Sequence, residues 1–456
     1  MRRFLRQTRL FLLIASAVAL VAVGTSWLIG NRPTHVLCKD CNIVFISIDT
    51  LGAKHTSVYD PSLDTTPHLK ALAEARGIVF DHAYSASSWT LPAHTALFTG
   101  RYPWEFNVWE ANDRLPDSAT TLFEALKNEG YATAGFATGS FVEQFHNMVQ
   151  GSDEFHYKRE ESDWNDLPEL FVAGAKWLRE HQGKRPFVLF MRPFEVHDPY
   201  GQPNASSTVT IHDIVRVNTQ PGGATTLDAE KFKDAYRKEI RISDDALDAF
   251  MASLDSSPYG KNTIVVITSD HGEEFGEHGS TGVHGVTLYN EVIHVPLIVI
   301  VPGLPARRVV QTVETRSIPA TLMELVGHAR KEEFPGTSLV PMLEGRPMQN
   351  QLALSRTATD KMAMLSRIEA AYDSLDAWGT TLTAHDRNTF SNPYTSSAVL
   401  GKWHLIRNKD GSFEVYDLSV DPDEHTNLYN ELSNIPLEDQ RRIGQLVSLL
   451  TLRVGE

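Results

Sequence analysis

The sequence has 456 residues, of which 42% are hydrophobic, 22% are charged and 9% are aromatic, and its formal net charge at pH 7 is −15. These are ordinary globular proportions, so the composition excludes a largely disordered chain. No block of basic residues follows the first segment, and this acidic balance argues against a nucleic-acid partner.

The first segment differs from the rest of the chain. Four arginines precede an uncharged apolar run from Leu10 to Gly30, which is long enough to span a bilayer with the arginines on the cytoplasmic side. We therefore expect residues 1–33 to form a signal-anchor, a transmembrane helix that places the catalytic part on the extracytoplasmic side, in the periplasm or outside the cell. A cleaved signal peptide that ends near Ala22-Val23-Gly24 is the alternative.

The chain has two cysteines, Cys38 and Cys41, in a Cys-Lys-Asp-Cys motif just after this segment. Such a motif serves as a redox pair, as half of a zinc site or as a small disulfide loop. There is no second cysteine pair to complete a zinc site. In an exported protein we expect the disulfide.

The middle of the chain predicts an α/β fold. The run Asn42–Ile48 is apolar throughout, as in a central parallel strand, and it ends at Asp49. The helices predicted after it lie at Thr66-Pro67 to about Arg76, at Thr120–Asn128 and near Ala229–Leu254, and the last of these is charged. The strands predicted after it lie at Ile78–Phe80, Ala132–Phe136, Pro186–Met191, Thr263–Thr268 and Val295–Val301. This alternation indicates a doubly wound, mostly parallel sheet, assigned to a catalytic domain at 40–345.

The pattern changes after Gly345. Residues 350–395 are polar and have no regular period, so they predict irregular structure. Trp403–Ile406 and Phe413–Tyr416 predict a hairpin across Asn408–Gly411, and a helix is expected from about Pro436 to Leu452. We assign 346–456 to a smaller C-terminal α+β subdomain.

Thr90 is the residue that points most directly to chemistry. It lies in the segment Ser-Trp-Thr-Leu-Pro-Ala-His, one residue ahead of a predicted helix whose early turn carries Pro92. The positive end of a helix and its free N–H groups suit an oxygen nucleophile that attacks a phosphate or sulfate ester. The alternative is that Thr90 only caps the helix.

A second motif, Asp270-His271-Gly272, follows the strand that ends at Thr268. It offers a carboxylate oxygen and an imidazole nitrogen to a metal, although such a pair on its own is more often bonded within its loop. Asp49 follows another strand, and strand ends meet at one edge of an open α/β sheet. We therefore expect Asp49, Thr90, Asp270 and His271 to converge on one divalent cation.

These segments together resemble the sulfatase family of the alkaline phosphatase superfamily. In that family a nucleophile heads a Cys/Ser-x-Pro-x-Arg stretch that ends in Thr-Gly-Arg, and Thr90, Pro92 and Thr99-Gly100-Arg101 fall on this frame. The resemblance implies an alkaline-phosphatase-like fold, ester cleavage, and metal ligands at Asp49, Asp270 and His271. It extends from Asn42 to Asn427 through the segments Asn42–Thr50, Thr66–Phe80, Thr90–Arg101, Phe194–Tyr200, Ser269–Gly279, His284–Pro296 and Val415–Leu428.

The chain also departs from the family pattern. Oxidation of a cysteine or serine gives the formylglycine aldehyde that sulfatases use, whereas Thr90 would give a ketone that hydrates poorly. Thr90 is therefore expected to act as an alkoxide, as in threonine-dependent members of the superfamily. Thr50 replaces a family aspartate and His94 a family arginine. A ligand set that mixes nitrogen with oxygen favours zinc or manganese over calcium.

Three histidines are expected to contact the ester. By resemblance, His197 and His284 would be catalytic, stabilising charge on the ester oxygens or protonating the leaving group. They and His94, one helical turn after Thr90, are the expected substrate-binding residues, with a buried structural role as the alternative for each. Lys54 could bind anions, and His278 could act in loop packing.

These observations predict a metal-dependent, sulfatase-like hydrolase or transferase that cleaves phosphate or sulfate esters through Thr90 and is anchored in the membrane. Lipid or envelope-glycan head groups are the expected substrates. The alternatives are a sulfatase that uses a variant route and a non-catalytic binding protein with the same fold.

Overall fold

The computed structural model describes residues 38–158, 169–181, 183, 185–201, 208–358 and 394–454. The predicted signal-anchor at 1–33 lies outside these ranges. Within them, every helix is too short or too polar to cross a bilayer.

The described residues contain fifteen strands and ten α-helices. The strands are β1 (Asn42–Ser47), β2 (Ile78–Tyr84), β3 (Ala132–Thr138), β4 (Glu154–Lys158), β5 (Phe187–Arg192), β6 (Thr263–Thr268), β7 (Glu274–Phe275), β8 (Thr281–Val283), β9 (His294–Val295), β10 (Leu297–Ile300), β11 (Arg307–Glu314), β12 (Ala353–Thr357), β13 (Thr395–Leu400), β14 (Trp403–Arg407) and β15 (Phe413–Asp417). The helices are α1 (Pro67–Arg76), α2 (Thr90–Thr99), α3 (Leu122–Asn128), α4 (Glu169–Glu180), α5 (Ile211–Thr219), α6 (Thr226–Ser256), α7 (Asn290–Ile293), α8 (Ile318–Leu325), α9 (Val340–Leu343) and α10 (Leu437–Val454).

The main sheet has nine strands in the described part of the chain, in the order β11-β2-β10-β6-β1-β5-β3-β4, with β9 paired to β2. The strands from β6 to β4 run parallel, as do β11 and β2. Most strands of this sheet run in one direction, as predicted, but β10 is antiparallel to both of its neighbours and β9 is antiparallel to β2. The sheet is therefore mixed. Pro296 separates β9 from β10, so the single strand expected at Val295–Val301 is two strands.

Both faces of the main sheet are covered by helices, which explains why its central strands are apolar throughout. Val44 and Ile46 of β1 pack into one core with α1, α4 and α6, while Ile43 and Phe45 pack into the other with α2, α3 and α8. Full burial of each such side chain contributes about 1.5–3 kcal/mol. This packing holds the central strands, and therefore the loops at their ends, in fixed positions.

The C-terminal part forms a second, antiparallel sheet of the order β12-β13-β14-β15. Its β14–β15 pair is the hairpin expected from the sequence, with Trp403 opposite Asp417, and α10 packs on it. The expectation of irregular structure across 350–395 is wrong for 353–357, which form β12; residues 359–393 lie outside the described ranges. Cys38 and Cys41 are joined by a disulfide, as predicted.

Candidate active site

Four residues from three distant parts of the sequence meet at one edge of the main sheet. Asp49 follows β1, and Asp270 and His271 follow the neighbouring β6, to which β1 is paired in parallel along its whole length. Thr90 is the first residue of α2, and the first turn of this helix has no side-chain cap. The helix therefore begins at Thr90 rather than one residue later.

The side chains converge on one ring nitrogen of His271. Its Nε2 lies 3.3 Å from Thr90 Oγ1, 3.6 Å from Asp49 Oδ1 and 3.5 Å from Asp270 Oδ2. Asp49, Asp270 and His271 are fully buried, and Thr90 is 3% exposed. The structure thus brings together the four residues that the sequence predicted as a metal site.

The chemistry of this cluster fits a divalent cation. Asp49 Oδ1 and Asp270 Oδ2 are buried oxygens that have no hydrogen-bond partner, and unpaired buried carboxylate oxygens are costly unless a cation compensates them. His271 Nδ1 lies 3.0 Å from the carbonyl oxygen of Gly272. A carbonyl only accepts, so Nδ1 carries the proton and Nε2 presents its lone pair. Two carboxylates and one imidazole are a donor set for zinc or manganese.

The backbone around these ligands is tightly constrained. Thr50, directly after Asp49, has a φ of +54°, a strained value for a β-branched residue that costs about 1–3 kcal/mol. Tyr236 of α6 holds this turn, since its hydroxyl donates to Thr50 O (2.7 Å) and accepts from Gly52 N (3.0 Å). Gly272 is required on the other loop, because a Cβ there would lie 2.1 Å from Glu291 O.

Arg192, at the end of β5, is a site residue that the sequence reasoning missed. Its Nη2 is paired with Asp49 Oδ2, and its Nη1 donates to Thr138 O at 2.6 Å. The side chain is fully buried. The sequence contained a feature that could have identified Arg192, because an arginine at the end of a buried apolar strand such as Phe187–Arg192 must pair with a buried acceptor.

Burial controls the ionisation of the cluster. It raises the pKa of Asp49 to about 7, although Arg192 acts in the opposite direction. Burial also lowers the pKa of His271 to about 3 and that of His94 to about 4, so both rings are neutral near pH 7. For Asp270, the effect of burial is outweighed by His271, His94 and Arg192, which hold its pKa below the usual value.

His94 lies behind Thr90 and Asp270. Its Nδ1 is 3.0 Å from Thr90 O and 3.4 Å from Asp270 Oδ2, and its ring packs on Phe98 and Phe190. The side chain is fully buried. This position favours support of Asp270 and of the helix start over the substrate contact expected from the sequence.

His197 and His284 form a second cluster with Asp198. One ring nitrogen of each histidine and one oxygen of Asp198 lie within 4.8 Å of one another. The His284 ring stacks on that of His271 with centroids 4.4 Å apart, so this cluster adjoins the first. Burial opposes the charged form of His197, but Asp198 outweighs this effect and raises the His197 pKa to about 10.

Glu273 supports this second cluster and was also missed. Its two carboxylate oxygens lie 3.3 Å from His284 Nδ1, and Tyr200 donates a hydroxyl hydrogen bond to Oε2 at 2.8 Å. Glu273 directly follows the Asp-His-Gly motif, so the sequence could predict that it lies near Asp270 and His271. Its contact with His284 could not be predicted, because the fold creates that contact.

Two other residues named from the sequence lie in salt bridges and stacking contacts of their own. Lys54 Nζ is 2.8 Å from Glu277 Oε1, so its charge is already paired. His278 Nδ1 donates to Glu291 Oε1 (2.6 Å), and its ring stacks on Tyr289 with centroids 3.5 Å apart, which agrees with a role in loop packing.

Comparisons with known proteins identify the relatives of this chain. A family model described as Sulfatase matches residues 41–328. Arylsulfatase K of Mus musculus is 22% identical over 499 aligned residues, covering 96% of this chain and 85% of that protein. The crystal structure of the phosphonate monoester hydrolase of Agrobacterium radiobacter matches with a TM-score of 0.69 and 19% identity, over 91% of this chain and 95% of that one.

A third match is the structure of a 2-O GAG sulfatase, with a TM-score of 0.68 and 20% identity over 92% of this chain and 94% of the other. The solved structures therefore share the fold, while the family model spans more than half of the sequence. The chain belongs to the sulfatase family, whose members are ester hydrolases and include sulfatases and phosphonate monoester hydrolases.

Proposed function

We propose that this protein cleaves phosphate esters, by hydrolysis or by transfer to an acceptor alcohol, with Thr90 as the nucleophile. The observation that carries the proposal is the 3.3 Å distance between Thr90 Oγ1 and His271 Nε2, at an uncapped helix start and beside two unpartnered carboxylate oxygens. A threonine that only capped the helix would not require buried carboxylate and imidazole groups around its hydroxyl.

Asp49, Asp270, His271 and Thr90 would hold a divalent cation, with zinc or manganese favoured over calcium. A cation held there lowers the pKa of a coordinated hydroxyl and withdraws charge from an ester oxygen. The residues of the chain fix its surroundings: His271 is kept in one tautomer by Gly272 O, and Arg192 orients Asp49.

Thr90 attacks in line with the ester bond that breaks. Oγ1 releases its proton to water as the alkoxide forms, a bond then forms between Oγ1 and phosphorus while the bond from phosphorus to the leaving oxygen breaks, and the leaving oxygen takes a proton from His197 or His284. Backbone N–H groups in the first turn of α2 stabilise the non-bridging oxygens, because the start of a helix favours negative charge. Water or an acceptor alcohol then releases the ester from Thr90.

His197 and His284 stabilise the charge on the leaving oxygen. The His284 ring stacks on the His271 ring, so both histidines lie on that side of His271. The side chain of His197 is 17% exposed, so solvent and substrate can reach it. Asp198 and Glu273 each hold one of these rings by Nδ1, so the rings are oriented before substrate enters.

Phosphorus is favoured over sulfur by the nucleophile itself. A sulfated formylglycine loses its sulfate when the hemiacetal collapses to the aldehyde. A sulfated threonine has no such route, so its sulfate leaves only when water attacks the sulfur atom. A sulfatase that acts through a variant route is the second candidate, favoured by the relatives: arylsulfatase K and the 2-O GAG sulfatase are sulfatases by name.

The proposed location is the extracytoplasmic face of a membrane, with residues 1–33 as the anchor. This rests on the apolar run from Leu10 to Gly30 in the sequence. A catalytic domain tethered in this way would meet lipid or envelope-glycan head groups, which we propose as substrates.

The direct test is an activity panel with the full-length protein, freed of metal and reloaded with Zn²⁺ or Mn²⁺. Aryl phosphodiesters, phosphomonoesters, phosphonate monoesters and sulfate esters are compared, and the Thr90→Ala protein is the control. We expect phosphodiester or phosphonate cleavage that requires Thr90 and metal. Sulfate-ester cleavage alone would favour the second candidate, and no cleavage by metal-loaded protein would indicate a binding protein.

A further inference from the structure

Arg356 of β12 is a buried arginine whose charge has no carboxylate beside it in the described part of the chain. It is 7% exposed, and its Nε donates to Ser396 Oγ at 3.2 Å. An arginine is almost never buried unless it is paired, because a buried charge that lacks a partner loses its hydration without compensation. Burial and the like charge of Arg407 outweigh the effect of Tyr394 and lower the Arg356 pKa to about 10. The side chain is therefore still a cation at pH 7.

Three aromatic rings surround this guanidinium. Its central carbon lies 4.2 Å from the ring centre of Tyr394, 5.7 Å from that of Trp104 and 5.8 Å from that of Trp109. The two tryptophan rings are nearly parallel, with an angle of 7° between their planes and centres 6.2 Å apart. Cation–π attraction holds a guanidinium in place, but an aromatic ring does not neutralise its charge. The rings therefore position the cation and leave its charge uncompensated.

A second arginine at the same group of rings shows the arrangement of a structural cation. Arg316 lies 4.0 Å from the ring centre of Tyr102, which stacks on Trp104 with centres 4.1 Å apart. Its Nη2 is 2.9 Å from Glu314 Oε2. Burial opposes the charge of Arg316, but Glu314 outweighs burial and raises the Arg316 pKa above its usual value. Arg356 has the rings without such a carboxylate, which suits a cation that binds a ligand.

The C-terminal sheet adds a hydroxyl and a second cation to this face. Ser396 of β13 lies opposite Arg356 on one side and opposite Arg407 of β14 on the other. Residues directly opposite each other in antiparallel strands lie on the same face of the sheet. The row Arg356, Ser396 and Arg407 therefore combines two positive charges with a hydroxyl, and such donors recognise a carboxylate or phosphate group.

The backbone of β12 connects this row to the loops of the candidate active site. Arg356 N donates to Ala86 O at 3.1 Å, and the four residues from Ala86 to Thr90 span at most about 14 Å of chain. The hydroxyl of Thr357, the next residue of β12, donates to Gly285 O on the loop after β8. The end of β12 thus lies beside both loops that carry the proposed catalytic residues, within reach of one extended substrate.

We propose that Arg356 and Ser396, with the rings of Trp104, Trp109 and Tyr394, bind a second anionic group on the part of the substrate that does not react. The inference rests on the proposed function and deepens it, because it makes the substrate a doubly anionic ester. Its second charge is a carboxylate or phosphate on a ring that packs against the tryptophans. A buried cation without a partner weakens the fold, so its presence is explained by binding rather than by stability.

The first experiment measures stability and binding in Arg356→Met, which removes the charge and keeps a long side chain. We expect a Tm equal to or above that of the wild type, because the substitution removes an uncompensated buried charge. Benzoate is then titrated into the full-length protein after chelation of metal, with benzyl alcohol as the neutral match. Tryptophan fluorescence reports binding, since two of the eight tryptophans line the proposed site.

We expect saturable quenching by benzoate in the wild type, no saturation with benzyl alcohol, and benzoate affinity at least about 10-fold weaker in Arg356→Met. The control is Arg441→Met, at an exposed arginine of α10, which should bind benzoate as the wild type does. Arg356→Lys retains the charge without the planar fork and gives the same test if Arg356→Met does not fold. Benzoate affinity that is unchanged in the Arg356 variants, or no benzoate binding by the wild type, would overturn the inference.

The second experiment uses metal-loaded protein and two aryl phosphodiesters that differ only by a carboxylate on the ring that does not leave. We expect the wild type to have a KM about 10- to 100-fold lower for the carboxylated ester, and Arg356→Met to lose this difference. Cleavage of both esters with equal KM in the wild type overturns the inference and keeps the proposed function. Benzoate binding that depends on Arg356, without cleavage of either ester, keeps the binding site and overturns the function.

Discussion

The hydroxyl of Thr90 lies 3.3 Å from Nε2 of His271, although 181 positions separate the two residues in the sequence. The contact joins the start of α2 to the loop after β6, and both are held by the packed core on either side of the sheet. The proposed nucleophile and the proposed cation ligands are therefore fixed relative to each other before substrate binds.

His271 should be essential for metal binding. We expect His271→Ala to weaken zinc affinity by roughly 100-fold or more, beyond the 10–100-fold typical of outer-shell partners. Zinc titration by calorimetry measures this loss, and His156→Ala, at a half-exposed histidine of β4, is the matched control. Unchanged zinc affinity in His271→Ala would exclude the assigned ligand set.

Metal binding should depend on pH through Asp49. Burial raises the pKa of this carboxyl to about 7 in the metal-free protein, so below pH 7 an incoming cation must displace one proton. His271, with a pKa of about 3, adds no further proton above pH 5. The zinc dissociation constant should thus rise about tenfold per pH unit as pH falls from 7 to 5.

The same carboxyl affects stability with a definite sign. Between its unfolded pKa of 3.8 and its native pKa of about 7, the native state keeps a proton that the unfolded chain loses. Asp49 therefore lowers the stability of the metal-free protein as pH rises through this range. Thermal unfolding of the metal-free protein at pH 5.5, 6.5 and 7.5, with and without added zinc, measures this, and we expect zinc to raise the Tm most at pH 7.5. An equal zinc effect at all three values would contradict the shifted pKa.

Tyr236 should act as a positioning residue for Asp49. Its hydroxyl makes two buried hydrogen bonds to the strained Thr50–Gly52 turn, each worth about 1 kcal/mol and costly to leave unmade. We expect Tyr236→Phe to lower the free energy of unfolding by about 1–3 kcal/mol and to weaken zinc binding. Tyr259→Phe tests a tyrosine outside the site and should change stability without a change in zinc affinity.

Glu273 and its sequence neighbour Glu274 should respond differently to the same substitution. Glu273→Gln removes the negative charge behind His284 and should lower kcat about 10–100-fold. Burial raises the pKa of Glu274 to about 8, so Glu274 is already neutral at pH 7, and Glu274→Gln should leave activity within about twofold. Equal losses in the two variants would show that the effect is packing rather than charge.

The sequence predicted the parts of this molecule that have a local signal. Continuous apolar runs identified β1 and β6. Asp49 and Asp270, each two residues past the end of its strand, lie at the same sheet edge because the two strands pair in parallel. The sequence could not predict the direction of β10, because a buried strand has the same continuous apolar pattern whether it is parallel or antiparallel to its neighbours.

The sequence also could not predict which residues pair with the buried charged side chains. Arg192 and Glu273 act through contacts with Asp49 and with His284 that only the fold creates. The sequence placed His94 one helical turn after Thr90, but its spacing could not show that the ring turns towards Asp270 and the core.

The most direct test of the account is the fate of Thr90 during turnover. The metal-loaded protein is mixed with a phosphodiester, quenched in acid within milliseconds and digested, and the peptide that contains Thr90 is examined by mass spectrometry. We expect a covalent phosphoryl group on Thr90, activity that survives in part in Thr90→Ser, and activity lowered at least 1,000-fold in Thr90→Ala with metal still bound, as for other nucleophile removals. Unmodified Thr90 together with full activity of Thr90→Ala would contradict the central claim.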